Sequence, residues 1–123
     1  TFKRLFGADA DESVQAKFRV VKLAGTTLSD NEIKTKVIKS FNNYFDVNNW
    51  EFGENFYFTE LSSYVHQQLS GVIGSIIIVP KNNSGVFGDL FQIKAESNEF
   101  FVNTAKVSDI EIIDKITKTT LAN

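Results

Sequence analysis

Residues Lys17-Phe18-Arg19-Val20-Val21-Lys22-Leu23 set apolar and β-branched side chains against charges in partial alternation, and Ala24-Gly25 closes the run, which predicts a first strand. Thr26, Thr27, Ser29 and Asp30 follow, each with a side-chain oxygen able to cap a helix. Behind them Ile33, Val37, Ile38, Phe41 and Phe45 recur at the spacing of one helical face. Within Asn42 to Asn49 the helix should stop, because the polar side chains there compete with the helical backbone.

From Trp50 to Phe58 the chain is aromatic and broken by Gly53, which predicts an extended connector laying its rings on the core. Thr59 is the expected cap of a second helix, with Leu61, Tyr64, Val65, Gln68 and Leu69 on one face and Gly71 as its stop. The branched run Val72 to Val79 predicts a strand covered on both faces and ended by Pro80, and Lys81 to Gly85 has turn chemistry. Asp89 to Ala95 alternates, with Phe91, Ile93 and Ala95 on one face and Leu90, Gln92 and Lys94 on the other. A tight turn at Ser97-Asn98 would bring Glu99 to Asn103 back antiparallel as a hairpin. The tail suits a helix at Val107, Ile110, Ile113 and Ile116 but a strand at Ile110 and Ile112; the expectation is a strand to Ile113, then fraying.

A strand, two successive helices and a second strand return the chain antiparallel to its start with both helices on one side. The expected class is therefore α+β: a two-layer sandwich of a mainly antiparallel sheet, two helices on one face and a C-terminal β-hairpin. Residues 17–123 form its single domain, and 1–16 are set apart as an N-terminal segment free to be flexible. The strand 72–79 also directs branched side chains away from the helices, so the second sheet face needs cover from the hairpin and tail or from a partner.

Composition narrows the function classes. A length of 123 residues, 42% hydrophobic and 23% charged, suits one folded domain. No run approaches the ~20 apolar residues of a membrane helix, and Thr1 to Phe6 leads into Gly7-Ala8-Asp9-Ala10-Asp11-Glu12 without the apolar stretch of a signal peptide. The absence of methionine favours a fragment of a longer chain, and the absence of cysteine removes disulfides, thiolate-held metals and thiol nucleophiles. A net charge of −2 gives no long-range attraction to phosphate, so neither nucleic acid nor a membrane is an expected partner. The 12 phenylalanines must fill a core, an interface or both.

Candidate chemistry is sparse. His66, the only histidine, lies one position from the apolar stripe of the second helix and reads as a solvent-edge residue. Asp9, Asp11 and Glu12 lack the spaced oxygens of a calcium loop, and Asp109, Glu111 and Asp114 do not converge on a strand. Gly71-Val72-Ile73-Gly74 and Gly85-Val86-Phe87-Gly88 share a G-x-x-G spacing, but neither carries the lysine and hydroxyl of a phosphate loop. Phe100 and Phe101 beside Lys94 could stack on bases, yet the acidic balance favours packing. The expectation is a protein that is not an enzyme, with no cofactor and no metal.

Trp50-Glu51-Phe52-Gly53-Glu54, the run Phe58-Thr59-Glu60-Leu61-Ser62-Ser63-Tyr64-Val65-His66-Gln67-Gln68-Leu69 and Ile73-Gly74-Ser75-Ile76-Ile77-Ile78-Val79-Pro80 together resemble the C-terminal region of the baseplate wedge subunit of T-even-type contractile-tailed phages, in the baseplate J-like family. Phe87 to Ile93, Glu99 to Val102 and Val107 to Asp114 look like that family's closing segment, so the likeness spans about residues 17–116. What it implies is a virion structural role in the tail baseplate, assembled in the host cytoplasm: wedge subunits pair as homodimers and join other baseplate wedge proteins. It supplies no catalytic residues. With the surplus apolar surface, it points to an interface at Phe87, Leu90, Phe91, Phe100, Phe101, Val102, Ile110 and Ile112. The alternative is a small regulatory or ligand-binding α+β domain, which a deep apolar pocket with convergent polar groups would favour.

Overall fold

Strand β2 (Ala16–Lys22) keeps the period-two pattern of its sequence: Ala16, Phe18 and Val20 are buried while Lys17 is exposed. The computed structural model of the chain describes residues 2–46, 49–82 and 92–114. In it β2 is the middle strand of a three-stranded sheet, antiparallel to β4 (Ile73–Pro80) and parallel to β7 (Ile110–Ile113). Phe18 stands between Ile78 and Ile110, and Val20 between Ile76 and Ile112, so one face carries a continuous apolar row. Pro80, which has no N–H to give to a ladder, ends β4 opposite Ala16.

Helix α1 (Asp30–Tyr44) starts at a capping box. The Ser29 hydroxyl accepts from the Glu32 amide at 3.1 Å, and the Glu32 carboxylate accepts from the Ser29 amide at 3.1 Å. These bonds hold the Glu32 carboxyl below its ordinary range. Ser29→Ala should therefore cost about 1 kcal/mol, read as a lower urea midpoint at unchanged slope. Ile33, Val37 and Phe41 are buried as their spacing predicts, with Ile38 half-buried beside them.

Helix α2 (Phe58–Gln68) follows the two-residue strand β3 (Phe56–Tyr57) without a break. Thr59 is not its cap: the N-cap position is Tyr57, which makes no side-chain capping bond, and Thr59 lies in the first turn. Packing replaces capping here, because the Phe58 ring is buried and stacks on Phe18 at 6.4 Å. Leu61, Val65 and Leu69 face the core, Gln68 is exposed, and Gly71 at φ +82° turns the chain into β4. Phe18 also meets Phe41 of α1 at 4.7 Å, so both helices cover the same sheet face. The chain has an α+β fold.

Three further details differ from the sequence expectations. No C-terminal hairpin forms among the described residues: β5 (Gln92–Ile93) pairs antiparallel with β3, and β6 (Phe100–Asn103) pairs parallel with β1 (Phe2–Leu5). The turn at Ser97-Asn98 exists, but the ladder groups beside it are already engaged. Asn55 Oδ1 accepts from the Ala95 amide at 3.0 Å, and the Gly53 amide donates to the Glu99 carbonyl at 2.9 Å. The pairings are consequently mixed, two antiparallel and two parallel, rather than mainly antiparallel.

Residues 2–16 are the second difference. Leu5, Phe6, Ala10 and Val14 lie in the same core as the helices. Backbone bonds of 3.0 Å from Phe6 to Val14 and from Ala16 back to Phe6 clamp the segment onto the start of β2. The third concerns β4. Ile73, Ile76 and Ile78 are buried towards the helices, while Ile77 and Val79 on the opposite face are only half-buried. Arg19 spans that face to Glu111 at 3.2 Å.

Candidate interaction surface

Four of the carboxylates singled out in the sequence have local structural tasks. Asp11 caps a short 3-10 turn, Glu12–Val14, and accepts from the hydroxyl and amide of Ser13, which lower its carboxyl pKa. Asp109 accepts from Lys81 Nζ and from the Lys106 amide at 2.9 Å, tying the β4 exit to the turn before β7. Glu111 pairs with Arg19 and Asp114 with Lys22, so these carboxylates serve different cations. His66 is half-buried in the last turn of α2. Among the described residues no group of acidic or histidine side chains could hold a metal ion, and no helix is long and apolar enough to cross a membrane.

The expected interface residues separate into distinct environments. Phe87, Leu90 and Phe91 lie outside the described residues, as does the second G-x-x-G. Phe101 is fully buried, with its ring 6.1 Å from Trp50, and Ile110 is buried under the helices; neither has surface left for a partner. Ile112 is half-buried against the core, and Val102 is half-buried on β6. Inward-facing β positions take these side chains because period two alternates them with outward ones.

Phe100 is different. It is itself only 8% exposed, but what hides it is aromatic and faces water: Phe2 at 4.5 Å and Phe52 at 5.0 Å, both edge-on and exposed by 62% and 64%. The parallel register of β1 and β6 sets Phe2 beside Phe100 and Arg4 beside Val102. Phe52 reaches the same place from a turn in which Gly53 adopts φ +81° and donates to Glu99. The result is an aromatic ridge bordered by Arg4 and Val102. Burying either outer ring would be worth about 1.5–3 kcal/mol, which makes the ridge the strongest apolar attraction on the described surface. Sequence reasoning did not single out Phe2 or Phe52 for this role. The available signal was an aromatic placed beside a turn glycine, or before a charged pair, where no helical or strand period required it.

A second feature is a cleft of about 380 Å³ where α1, α2 and the connector meet, lined by Tyr44, Asn49, Trp50, Glu54, Glu60 and Tyr64. The Trp50 indole donates to the Tyr44 carbonyl at 2.6 Å, and the Tyr44 hydroxyl donates to Glu60 at 3.3 Å. Burial first, then the negative charges of Glu60 and Glu54, push the Tyr44 phenol well above its ordinary value of 10.0. With the folded pKa raised, the unfolded chain releases this proton first, so the associated stability is complete below pH 10.0 and is lost as pH rises beyond it. An ultraviolet titration should accordingly show one phenol ionising late, and Tyr44→Phe should remove that phase.

In comparisons with known proteins, no family model and no curated protein matches the chain.

Proposed function

We propose that this chain is a non-catalytic assembly module of a contractile-tail baseplate wedge, pairing with a second copy of itself and docking neighbouring wedge proteins in the virion. The observation that carries the reading is the ridge of Phe2, Phe100 and Phe52, whose two outer rings cover Phe100 yet remain mostly exposed to water themselves. A two-fold contact fits such a ridge, because an isologous interface needs a self-complementary patch, and edge-to-face rings interdigitate with a copy of themselves. The resemblance over residues 17–116 supports the same reading from the sequence side.

Size exclusion with light scattering tests it. The wild-type chain should run heavier than its 13.8 kDa monomer in a concentration-dependent way. Phe52→Asp, at an exposed turn, should return it to monomer mass with an unchanged circular dichroism spectrum. A wild type that stays monomeric at high concentration, both alone and within a longer chain, would sink the proposal. The cleft favours a second reading, a small ligand-binding domain, because its polar and aromatic side chains converge on one space.

A further inference from the structure

Three aromatic rings from three separate segments line the cleft: Tyr44 from the end of α1, Tyr64 from α2 and Trp50 from the connector. Tyr44 lies 5.6 Å from Trp50 at 77° and 5.6 Å from Tyr64 at 54°, so these three rings meet at an angle instead of stacking on one another, while Trp50 is backed by Phe45, stacked at 5.5 Å. Among the described residues the only charged side chains in the lining are Glu54 and Glu60. Among the described residues neither carboxylate has a cationic partner, although the chain's other ion pairs take up Asp30, Asp109, Glu111 and Asp114.

We propose that this cleft binds an organic ammonium group, with the rings of Tyr44, Trp50 and Tyr64 against its alkyl shell and Glu54 and Glu60 balancing its charge. Ring faces carry negative potential and attract a cation, most usefully one whose methyl or methylene groups also gain from leaving water. The Tyr44 phenol is raised first by burial and then by the charges of Glu60 and Glu54, which lie on the same cleft. A bare metal ion fits less well, because hard cations take six or more oxygens and most of this lining is aromatic. A volume of about 380 Å³ is near the lower end for ligand pockets and suits a headgroup or one side chain rather than a large molecule. This inference does not depend on self-association through the aromatic ridge.

Trp50 is the only tryptophan of the chain, so its fluorescence reports from the cleft wall without labelling. The wild-type chain should give a saturable change on titration with choline or with a peptide carrying trimethyllysine. Sodium chloride at equal ionic strength, and the neutral analogue with carbon in place of the ammonium nitrogen, should give none. Tyr64→Leu should weaken binding by about twofold to fivefold, and the double variant Glu54→Gln with Glu60→Gln, which keeps side-chain shape, should weaken it further. Equal affinity for choline and the peptide identifies a free ammonium compound as the ligand, whereas tighter peptide binding identifies a lysine side chain of a partner. A response to the neutral analogue equal to that for choline, no saturable response at all, or unchanged affinity in the folded double-glutamine variant would overturn the proposal.

Discussion

Phe6→Ala is expected to lower stability by about 3–5 kcal/mol, most of what a small domain has. The fully buried ring lies 5.0 Å from Phe18, 5.6 Å from Phe56, 6.1 Å from Phe45 and 6.3 Å from Phe41, so it joins the N-terminal segment, the sheet, α1 and β3 in one cluster. No neighbouring side chain can relax into that space without leaving its own contacts. Phe6 also has φ +81°, a conformation that costs a non-glycine residue roughly 1–2 kcal/mol and is held here by the packing of its ring. A second outcome follows that a purely steric account would not give. Phe6→Gly, which loses the same ring but sheds the backbone strain, should be more stable than Phe6→Ala by about 1 kcal/mol, the reverse of the usual order. Equilibrium urea unfolding of the two variants beside wild type decides it, and equal midpoints would mean that the strain is not there.

Gly7→Ala should be nearly as severe, for a different reason. A Cβ at residue 7 would stand 2.0 Å from the Thr104 carbonyl oxygen and 2.6 Å from its carbon, far inside contact distance and against backbone that cannot swing aside. Thr104 is fixed because its amide and hydroxyl both donate to the Leu5 carbonyl, at 3.0 and 2.8 Å, and its hydroxyl accepts from the Gly7 amide at 3.1 Å. Relief requires β1 to move off β6. The cost should reach about 3 kcal/mol, the upper part of the range for overpacking, and the same movement would separate Phe2 from Phe100 and break up the aromatic ridge. Gly25→Ala is the control: its φ of +88° makes alanine unfavourable, but nothing lies within 4 Å, so only about 1 kcal/mol is at stake.

The parts of the fold that were legible in the sequence are those where one physical effect dominates. Ile33, Val37 and Phe41 repeat at helical spacing and Phe18 and Val20 at strand spacing because a single buried face selects them; both helices, β2, β4 and β7 follow. The hairpin was not legible. Local turn chemistry at Ser97-Asn98 was read correctly, but the choice of strand partner is a long-range competition that Asn55, Gly53 and β1 win. The N-terminal core segment was hidden by composition, since Gly7 to Glu12 looks like a polar linker while the residue before it carries the centre of an aromatic cluster. Thr59 failed as a cap because a buried ring one residue earlier sets where α2 begins.

For the candidate surface, the pattern of apolar positions pointed to the right strand and, in part, the wrong side of it. Phe100 and Phe101 are adjacent and chemically identical, and only the register of β6 against β1 decides that one supports the ridge while the other disappears beneath Trp50. The cleft was less legible still, because Tyr44, Trp50 and Tyr64 meet only once the connector has folded back between two helices.

The parallel pairing of β1 with β6 also sets an order of events. The socket for Phe6 and Gly7 is completed by residues near Thr104, almost the whole described chain away, so the first strand cannot close until the sixth has been made. On a ribosome, the helices and β2 can meet β4 while β1 is still waiting, its apolar side chains exposed to the solvent and to other chains. Contacts of such long sequence separation slow folding. Slowing translation before the codons of β6 should therefore increase aggregation of the nascent chain, whereas a pause once residue 114 has left the ribosome should not.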